Sequence, residues 1–470
     1  METVEREDIQ GIVATGYGKL VAAYYLLLAI DDPRLTGSWL ASETTVITTA
    51  RTGPGTDALN VAFTHAGLRR LGLSPDALAG FSDEFVEGMC TPHRSRILGD
   101  EDDNSPEHWR WGGPTTAPVD VLVMLFASDN GLLEDRYRAM VSTLPSGGLR
   151  EIDRLDTSNI GLREHFGFAD GISQPALQGL GGGGPMDTVA TGEFLLGYRN
   201  EYGLYTARPT FSRELDRRHV LPSDPSDSKQ VDLGRNGSYL VFRQLRQDVR
   251  GFWRFLDGAT KRPDGASDPG TRTHLAAKMV GRWPSGAPLV KAPDRDDPQL
   301  ASANEFGYFN ADRLGFACPI GAHIRRSNPR DSLDPNPGSA SSLEVNRRHR
   351  LLRRGREYGP GLTPEEAVSS PDAPDDPERG LHFICLNGNV SRQFEFIQHT
   401  WANDPRFNGL YDDHDPITGP HTPSGATFTM QAHPARKRIR GLPQFVSARG
   451  GAYFFLPGIR AVRYLSGLTT

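Results

Sequence analysis

Three segments hold residues whose types and spacing could do chemistry. In "EHFGFADGISQP" (Glu164 to Pro175), one carboxylate, Asp170, sits in a tight turn closed by Gly171. In "CPIGAHIRRSNPRD" (Cys318 to Asp331), His323 follows small and apolar residues and precedes Arg325, Arg326 and Arg330. An imidazole against apolar packing with guanidiniums nearby suits a ligand to the iron of a dianionic porphyrin, the arginines pairing with its propionates. The plain alternative is a packed histidine. Cys318 is a competing thiolate ligand, and a small buried hydrophobe is its ordinary role. In "LLRRGREYG" (Leu351 to Gly359), Arg353 and Arg354 head a dense cationic stretch. Asp415 in "HDPITG" is an acid able to accept a hydrogen bond from a buried imidazole, or a simple turn residue.

Composition narrows what such residues can serve. The chain has 470 residues, which favours two domains, and a formal net charge of −6, which gives nucleic acid no basic surface. Its 52 glycines and 35 prolines compare with roughly 12% for the two together in an average chain and indicate many long loops. The three cysteines, Cys90, Cys318 and Cys385, form no CxxC or CxxCH. Zinc ribbons, thioredoxin chemistry and covalently attached haem are therefore disfavoured. The acidic start "METVEREDIQG" has no basic region of a signal peptide, and the run "LVAAYYLLLAI" is too short for a membrane span. A cytoplasmic location is the expectation; secretion by another route is compatible with it.

The elements that position these residues alternate between strand and helix. "YYLLLAI", "LNVAFTH" and "VDVLVMLFAS" read as strands, and Leu133, Tyr137, Met140, Val141 and Leu144 recur at helical spacing. The pattern returns with "GSYLVFRQL", then Val249, Phe252, Trp253 and Leu256 on one helix face. It closes with "GLHFICLN", then Phe394, Ile397 and Trp401. This implies two similar α+β domains, residues 1–225 and 226–470, with a boundary in the polar stretch His219 to Gly237. "GLGGGGPM" (Gly179 to Met186) lacks the Lys-Ser/Thr of a phosphate-binding loop and reads as a flexible loop. Ser327 to Ser342 and Thr363 to Gly380 read as long loops, and the basic run "HPARKRIRGLP" as a solvated surface.

Taken together, "GFADG", "CPIGAHIRRSNPR" and "RRGREYG" resemble, in order, the Gly-x-x-Asp-Gly signature, the proximal-histidine segment and the distal-arginine segment of the dye-decolourising peroxidases. "DIQGIVATGYGKL", "LNVAFTHAGLRRLGL", "GLHFICLNGNVSRQFEFIQHTWAND" and "GLPQFVSARGGAYFFLPGI" extend the resemblance over nearly the whole chain. It is similar to the large class with fungal and actinobacterial members. The resemblance implies two ferredoxin-like domains with antiparallel sheets and non-covalent haem b mainly in the C-terminal one. It implies His323 as iron ligand, Asp170 as distal acid and Arg353 as distal arginine. Arg330 would be a propionate partner and Asp415 the carboxylate behind His323. A long loop lies between His323 and Arg353, so Arg354 remains the alternative for the distal role.

The implied activity is one-electron oxidation of dyes, phenols and similar small or polymeric aromatic donors by hydrogen peroxide, through a ferryl haem. Asp170 would accept and return the proton of peroxide cleavage, giving an acidic optimum for an acid of ordinary pKa near 3.9. Arg353 would stabilise developing negative charge, and Asp415 would strengthen His323 as a donor. Trp401 and Tyr358 are candidates for relaying electrons from bulky donors, with core packing the ordinary role of Trp401. Two other classes compete. One is a haem-binding or iron-release protein without peroxidase turnover. The other is a non-haem metalloenzyme using His399, His414, Asp415 and His421. The oligomeric state is not encoded legibly.

Overall fold

Strands with unbroken apolar runs need cover on both faces, and they receive it here. The computed structural model describes residues 3–161, 163–181, 183–184, 186–370, 375–421 and 425–468. In β1 (Ala22–Ile30), Leu26, Leu28 and Ile30 enter one core while Ala23, Tyr25 and Leu27 enter another on the opposite face. That is the two-residue alternation of a strand, with both sides dry. Trp39, Leu40, Leu133 and Met140 of two helices help fill the first core; Ile9, Ile12, Phe194 and Leu195 help fill the second.

The first unit runs β1, α1 (Pro33–Glu43), β2 (Asp57–Phe63), β3 (Val121–Ala127), α2 (Asn130–Thr143) and β4 (Leu149–Asp156). Both helices start on acidic caps: Asp32 accepts from the Arg34 and Leu35 amides, and Asp129 from the Leu132 amide. The second unit runs β5 (Ser238–Gln247), α3 (Val249–Ala259), then after a long excursion β6 (Leu352–Arg353), β7 (Arg356–Tyr358) and β8 (Gly380–Asn387). Wide-turned π-helical stretches, Ser391–Glu395 and Ile397–Ala402, lead to β9 (Val446–Leu456). Phe394, Ile397 and Trp401 are all buried, as their spacing implied, although the turn is wider than an α-helix.

Each unit is ferredoxin-like when β6 and β7, which both pair with β8, count as one strand: its fourth strand lies beside its first, followed by the third and the second, and every neighbouring pair is antiparallel. The two sheets meet edge to edge where Phe455 of β9 pairs with Phe63 of β2, making one nine-stranded sheet. Buried ion pairs tie the units further, Arg94 to Glu395 at 2.7 Å and Arg243 to Asp100 at 2.8 Å. A third core gathers Phe252 and Trp253 of α3 with Phe166 and Phe168 from the connection after β4. The connection that carries Asp170 is thus anchored in the core of the second unit.

The polar stretch from His219 to Gly237 is not a loose linker. It contains a strand, Gln230–Asp232, paired with Thr210–Ser212, and Val231, Asp232 and Leu233 are buried. Its polarity reflects internal pairing: Arg208 donates to Asp232 at 2.6 Å and to Asp224 at 2.8 Å. The basic run near the C-terminus is a hairpin strand, Lys437–Leu442, against Ala426–Met430. Two loop readings fall partly outside the described residues, at 182 and 185 and at 371–374. Among the described residues no helix is long and apolar enough to cross a membrane.

Candidate active site

The turn holding Asp170 is built by its own first residue. Glu164 accepts hydrogen bonds from the Phe166 amide at 2.9 Å, the Phe168 amide at 3.0 Å and Gln247 Nε2 at 2.8 Å. The Ala169 amide donates to the Pro284 carbonyl, so a second segment clamps the same turn. Gly167 and Gly171 have φ of +93° and +78°, and a Cβ on either would meet no protein atom within 4 Å. Backbone conformation, rather than crowding by protein, calls for glycine there. Asp170 Oδ1 then accepts from the Gly171 amide at 2.6 Å and from Arg353 Nη1 at 2.8 Å.

Arg353 is fixed by β6, which pairs with β8 at Cys385, and by its amide donating to Gln174 Oε1 at 3.0 Å. Its neighbour faces away, as successive strand residues must. Arg354 donates to the carbonyls of Ile12, Val13 and Arg353 at 2.6, 2.8 and 2.9 Å. Of the two arginines, Arg353 is the one that meets Asp170. Burial would push the Asp170 carboxyl up, but the Arg353 charge, the Gly171 amide and the Arg353 hydrogen bond outweigh it and hold it below its ordinary value.

On the same cavity, His323 opens a short helix, α4 (His323–Ser327). Its Nδ1 lies 2.9 Å from Asp415 Oδ2. Asp415 is fully buried, and its Oδ1 accepts from the amides of Ile417 at 2.9 Å and Thr418 at 3.0 Å. Burial alone would favour the neutral acid; His323, Arg326 and the Thr418 amide reverse that and hold the carboxyl at about 2. A carboxylate only accepts, so Nδ1 carries the proton. Burial would lower the His323 pKa, but Asp415 outweighs it and raises it, and Nε2 offers its lone pair in the neutral imidazole. Nε2 has no hydrogen-bond partner among the described residues, and the side chain keeps 31% exposure, to the cavity it lines.

That cavity has a volume of about 310 Å³ and is lined by Asp170, Arg353, His323 and Arg330 among apolar walls such as Leu245, Phe383, Phe394 and Ile417. Its size and mixed lining are those of a cofactor site. Arg330 is buried, with Nη1 bonded to the Asn304 and Phe306 carbonyls at 2.7 and 3.1 Å. A lone imidazole nitrogen, a buried carboxylate behind it, apolar walls and arginines at the margin fit a histidine-ligated haem.

Other sequence readings are redirected. Arg325 and Arg326 do not reach the cavity: Arg325 binds the Cys318 carbonyl at 2.8 Å and Arg326 the Trp401 carbonyl at 2.7 Å. Both are the internal fasteners of α4. Cys318 is buried and does not line the cavity, which removes it as a ligand there; burial pushes its thiol up to about 12. Asp415 is spent on His323, His414 on the Asn403 carbonyl and His421 on the Pro443 carbonyl. Among the described residues no group of three or more His, Cys, Asp or Glu could hold a metal ion. Tyr358 and Trp401 are buried, Tyr358 stacked on His382 and Trp401 packed edge-on to Phe396. Sequence reasoning missed Glu164, Arg282, Tyr308 and Arg350, all of which line the cavity. Glu164 stood inside the quoted motif; the others carry no local signal beyond an arginine or tyrosine in apolar surroundings.

Comparison with known proteins finds relatives over nearly the whole chain. The chain is 32% identical over 505 residues to a dye-decolorizing peroxidase of Mycena epipterygia, covering 98% of this chain and 87% of that one. A crystal structure of a dye-decolorizing peroxidase from Auricularia auricula-judae superposes with a TM-score of 0.79 at 28% identity, covering 99% of this chain and all of that one. An ancestral D-type dye-decolorizing peroxidase gives a TM-score of 0.77 at 28% identity over 98% of this chain and 99% of that one. No family model matches.

Proposed function

We propose, for a chain that belongs to the dye-decolorizing peroxidase family and is therefore an oxidoreductase acting on peroxide, a non-covalent haem b site with His323 as its iron ligand and Asp170 and Arg353 as its peroxide-handling pair. The observation that carries the reading is the shared cavity. Its lining carries both a bare imidazole nitrogen and an ion-paired carboxylate. Residues 1–225 would supply the acid, and residues 226–470 the ligand and the arginines.

When bound, the haem supplies the redox centre that takes two electrons' worth of oxidation from peroxide and returns to rest by single-electron steps from aromatic donors. The protein's own residues do the rest. Asp415 keeps His323 in one tautomer and makes it a stronger donor. Arg330 would pair with a propionate of the cofactor. Asp170, ionised because Arg353 stands beside it, accepts a proton from peroxide and gives it to the departing oxygen. Arg353 places a fixed positive charge where negative charge develops.

A haem-storage or iron-release role without turnover would need the ligand side only. The Asp170–Arg353 pair facing the same cavity favours peroxidase chemistry. The test is peroxide-dependent dye oxidation by the haem-loaded chain. A protein with a Soret band and no such activity would support the storage role.

A further inference from the structure

The cavity contains an arginine cluster with more donors than the protein uses. Arg282, Arg330 and Arg350 are each at most 5% exposed, and all three line the cavity. Asn304 organises them: its Oδ1 accepts from Arg330 Nη2 at 2.6 Å and from Arg282 Nη2 at 3.2 Å. Its Nδ2 donates to Asp187 Oδ2 at 2.7 Å, and Asp187 Oδ1 accepts from Arg350 Nη2 at 3.3 Å. Asp187 is the sole carboxylate within ion-pair reach of the three guanidiniums among the described residues.

Arg350 is the least satisfied member. Among the described residues its 3.3 Å contact with Asp187 is its side chain's one hydrogen bond, leaving Nε and Nη1 without a protein partner. Tyr308 lines the same cavity, and its buried hydroxyl has no partner among the described residues. Burial pulls the Arg282 and Arg350 guanidiniums down to about 10, and the neighbouring arginines add to the effect. Buried charge left unpaired is costly, and buried donors are normally satisfied. The vacant donors and the excess charge ask for an anion with carboxylate-like acceptors.

We propose that Arg350, Arg282 and the Tyr308 hydroxyl, held in register by Asn304 and Asp187, form a carboxylate-binding node that grips the propionates of the haem alongside Arg330. This rests on the haem reading above and deepens it. Arg282 also fastens the turn beneath Asp170 through the Gly286 carbonyl at 2.7 Å, so its removal would disturb more than the node. Arg350, with a single weak contact, is the clean probe.

The experiment measures haem loss from the loaded full-length chain into an excess of apoglobin, followed at the Soret band. The wild-type protein is loaded with haem or with haem dimethyl ester, which has the same macrocycle with both carboxylates capped. The ester should leave roughly ten- to a hundredfold faster, the range expected when charge-assisted hydrogen bonds are lost. R350L should speed the loss of haem but not of the ester, and R350K should restore most of the retention. Equal loss of haem and ester from the wild type would overturn the node. So would an R350L variant that loses both porphyrins faster by the same factor, which would mean packing rather than carboxylate binding. If neither porphyrin gives a Soret band, the haem reading itself fails, an outcome distinct from the other two.

Discussion

Asp170 and Arg353 stand 183 positions apart in the chain, yet Arg353 Nη1 donates to Asp170 Oδ1 at 2.8 Å. One residue sits on the connection that leaves the first unit, the other on a short strand of the second. The pair proposed to handle peroxide therefore exists only when the two units are docked.

Arg353→Leu should slow peroxide-dependent oxidation of the haem-loaded protein by roughly two to three orders of magnitude, the usual worth of one preorganised donor. Asp170→Asn should slow it by about 10² to 10⁴, since water substitutes only in part for a placed proton carrier. Haem content should survive both changes. Arg354→Leu should leave the rate of the peroxide step near wild type, because Arg354 binds the carbonyls of Ile12 and Val13 and faces away from the cavity. Stopped-flow traces at the Soret band compare all three.

The pH profile should report the same pair. Asp170 is held below its ordinary value, so its acid limb in the wild type lies below about pH 4. Removing Arg353 leaves burial, the largest influence, less opposed, and the Asp170 pKa rises. The acid limb of the residual activity of Arg353→Leu should accordingly move to higher pH. A limb that stays in place would mean that another group controls it.

Asp415→Asn keeps an oxygen for the Ile417 and Thr418 amides but removes the negative charge behind His323. Haem affinity should fall by roughly 10- to 100-fold, as for comparable partners of metal ligands. The iron reduction potential should rise, because the imidazole donates less. Haem titration and spectroelectrochemistry measure the two effects separately.

Stability should decline on the acid side even where activity is favoured. Burial pulls both His349 and His382 down to about 4. Between about pH 6.5 and pH 4 the unfolded chain binds protons that the folded chain refuses, so stability falls as pH drops through that window. His349 is stacked on Phe396, and its Nδ1 is 2.6 Å from the Arg392 carbonyl. His349→Phe should flatten the dependence of Tm on pH across that window relative to wild type.

Much of this was legible because the decisive residues lie in contiguous motifs. Asp170 and His323 each sit in a short segment whose neighbours are also informative, and continuous apolar runs such as Tyr24 to Ile30 gave away strands buried on both faces. Arg353 and Arg354 could not be separated, since which face of a two-residue strand meets the cavity is set by its pairing with Cys385. Arg282 and Arg350 were invisible because what makes them a cluster is Asn304 and Asp187, tertiary neighbours. The stretch near Asp232 read as a linker because its charges looked solvated, whereas Arg208 neutralises them internally.

The most direct measurement is the absorption spectrum of the purified haem-loaded protein and of its His323→Ala variant, before and after one equivalent of hydrogen peroxide. The wild type should show a histidine-ligated Soret band that shifts on adding peroxide and returns on adding a phenolic donor, while His323→Ala retains little or no haem. A haem band that persists in His323→Ala with thiolate character, or a wild-type band that peroxide leaves unchanged, would contradict the account.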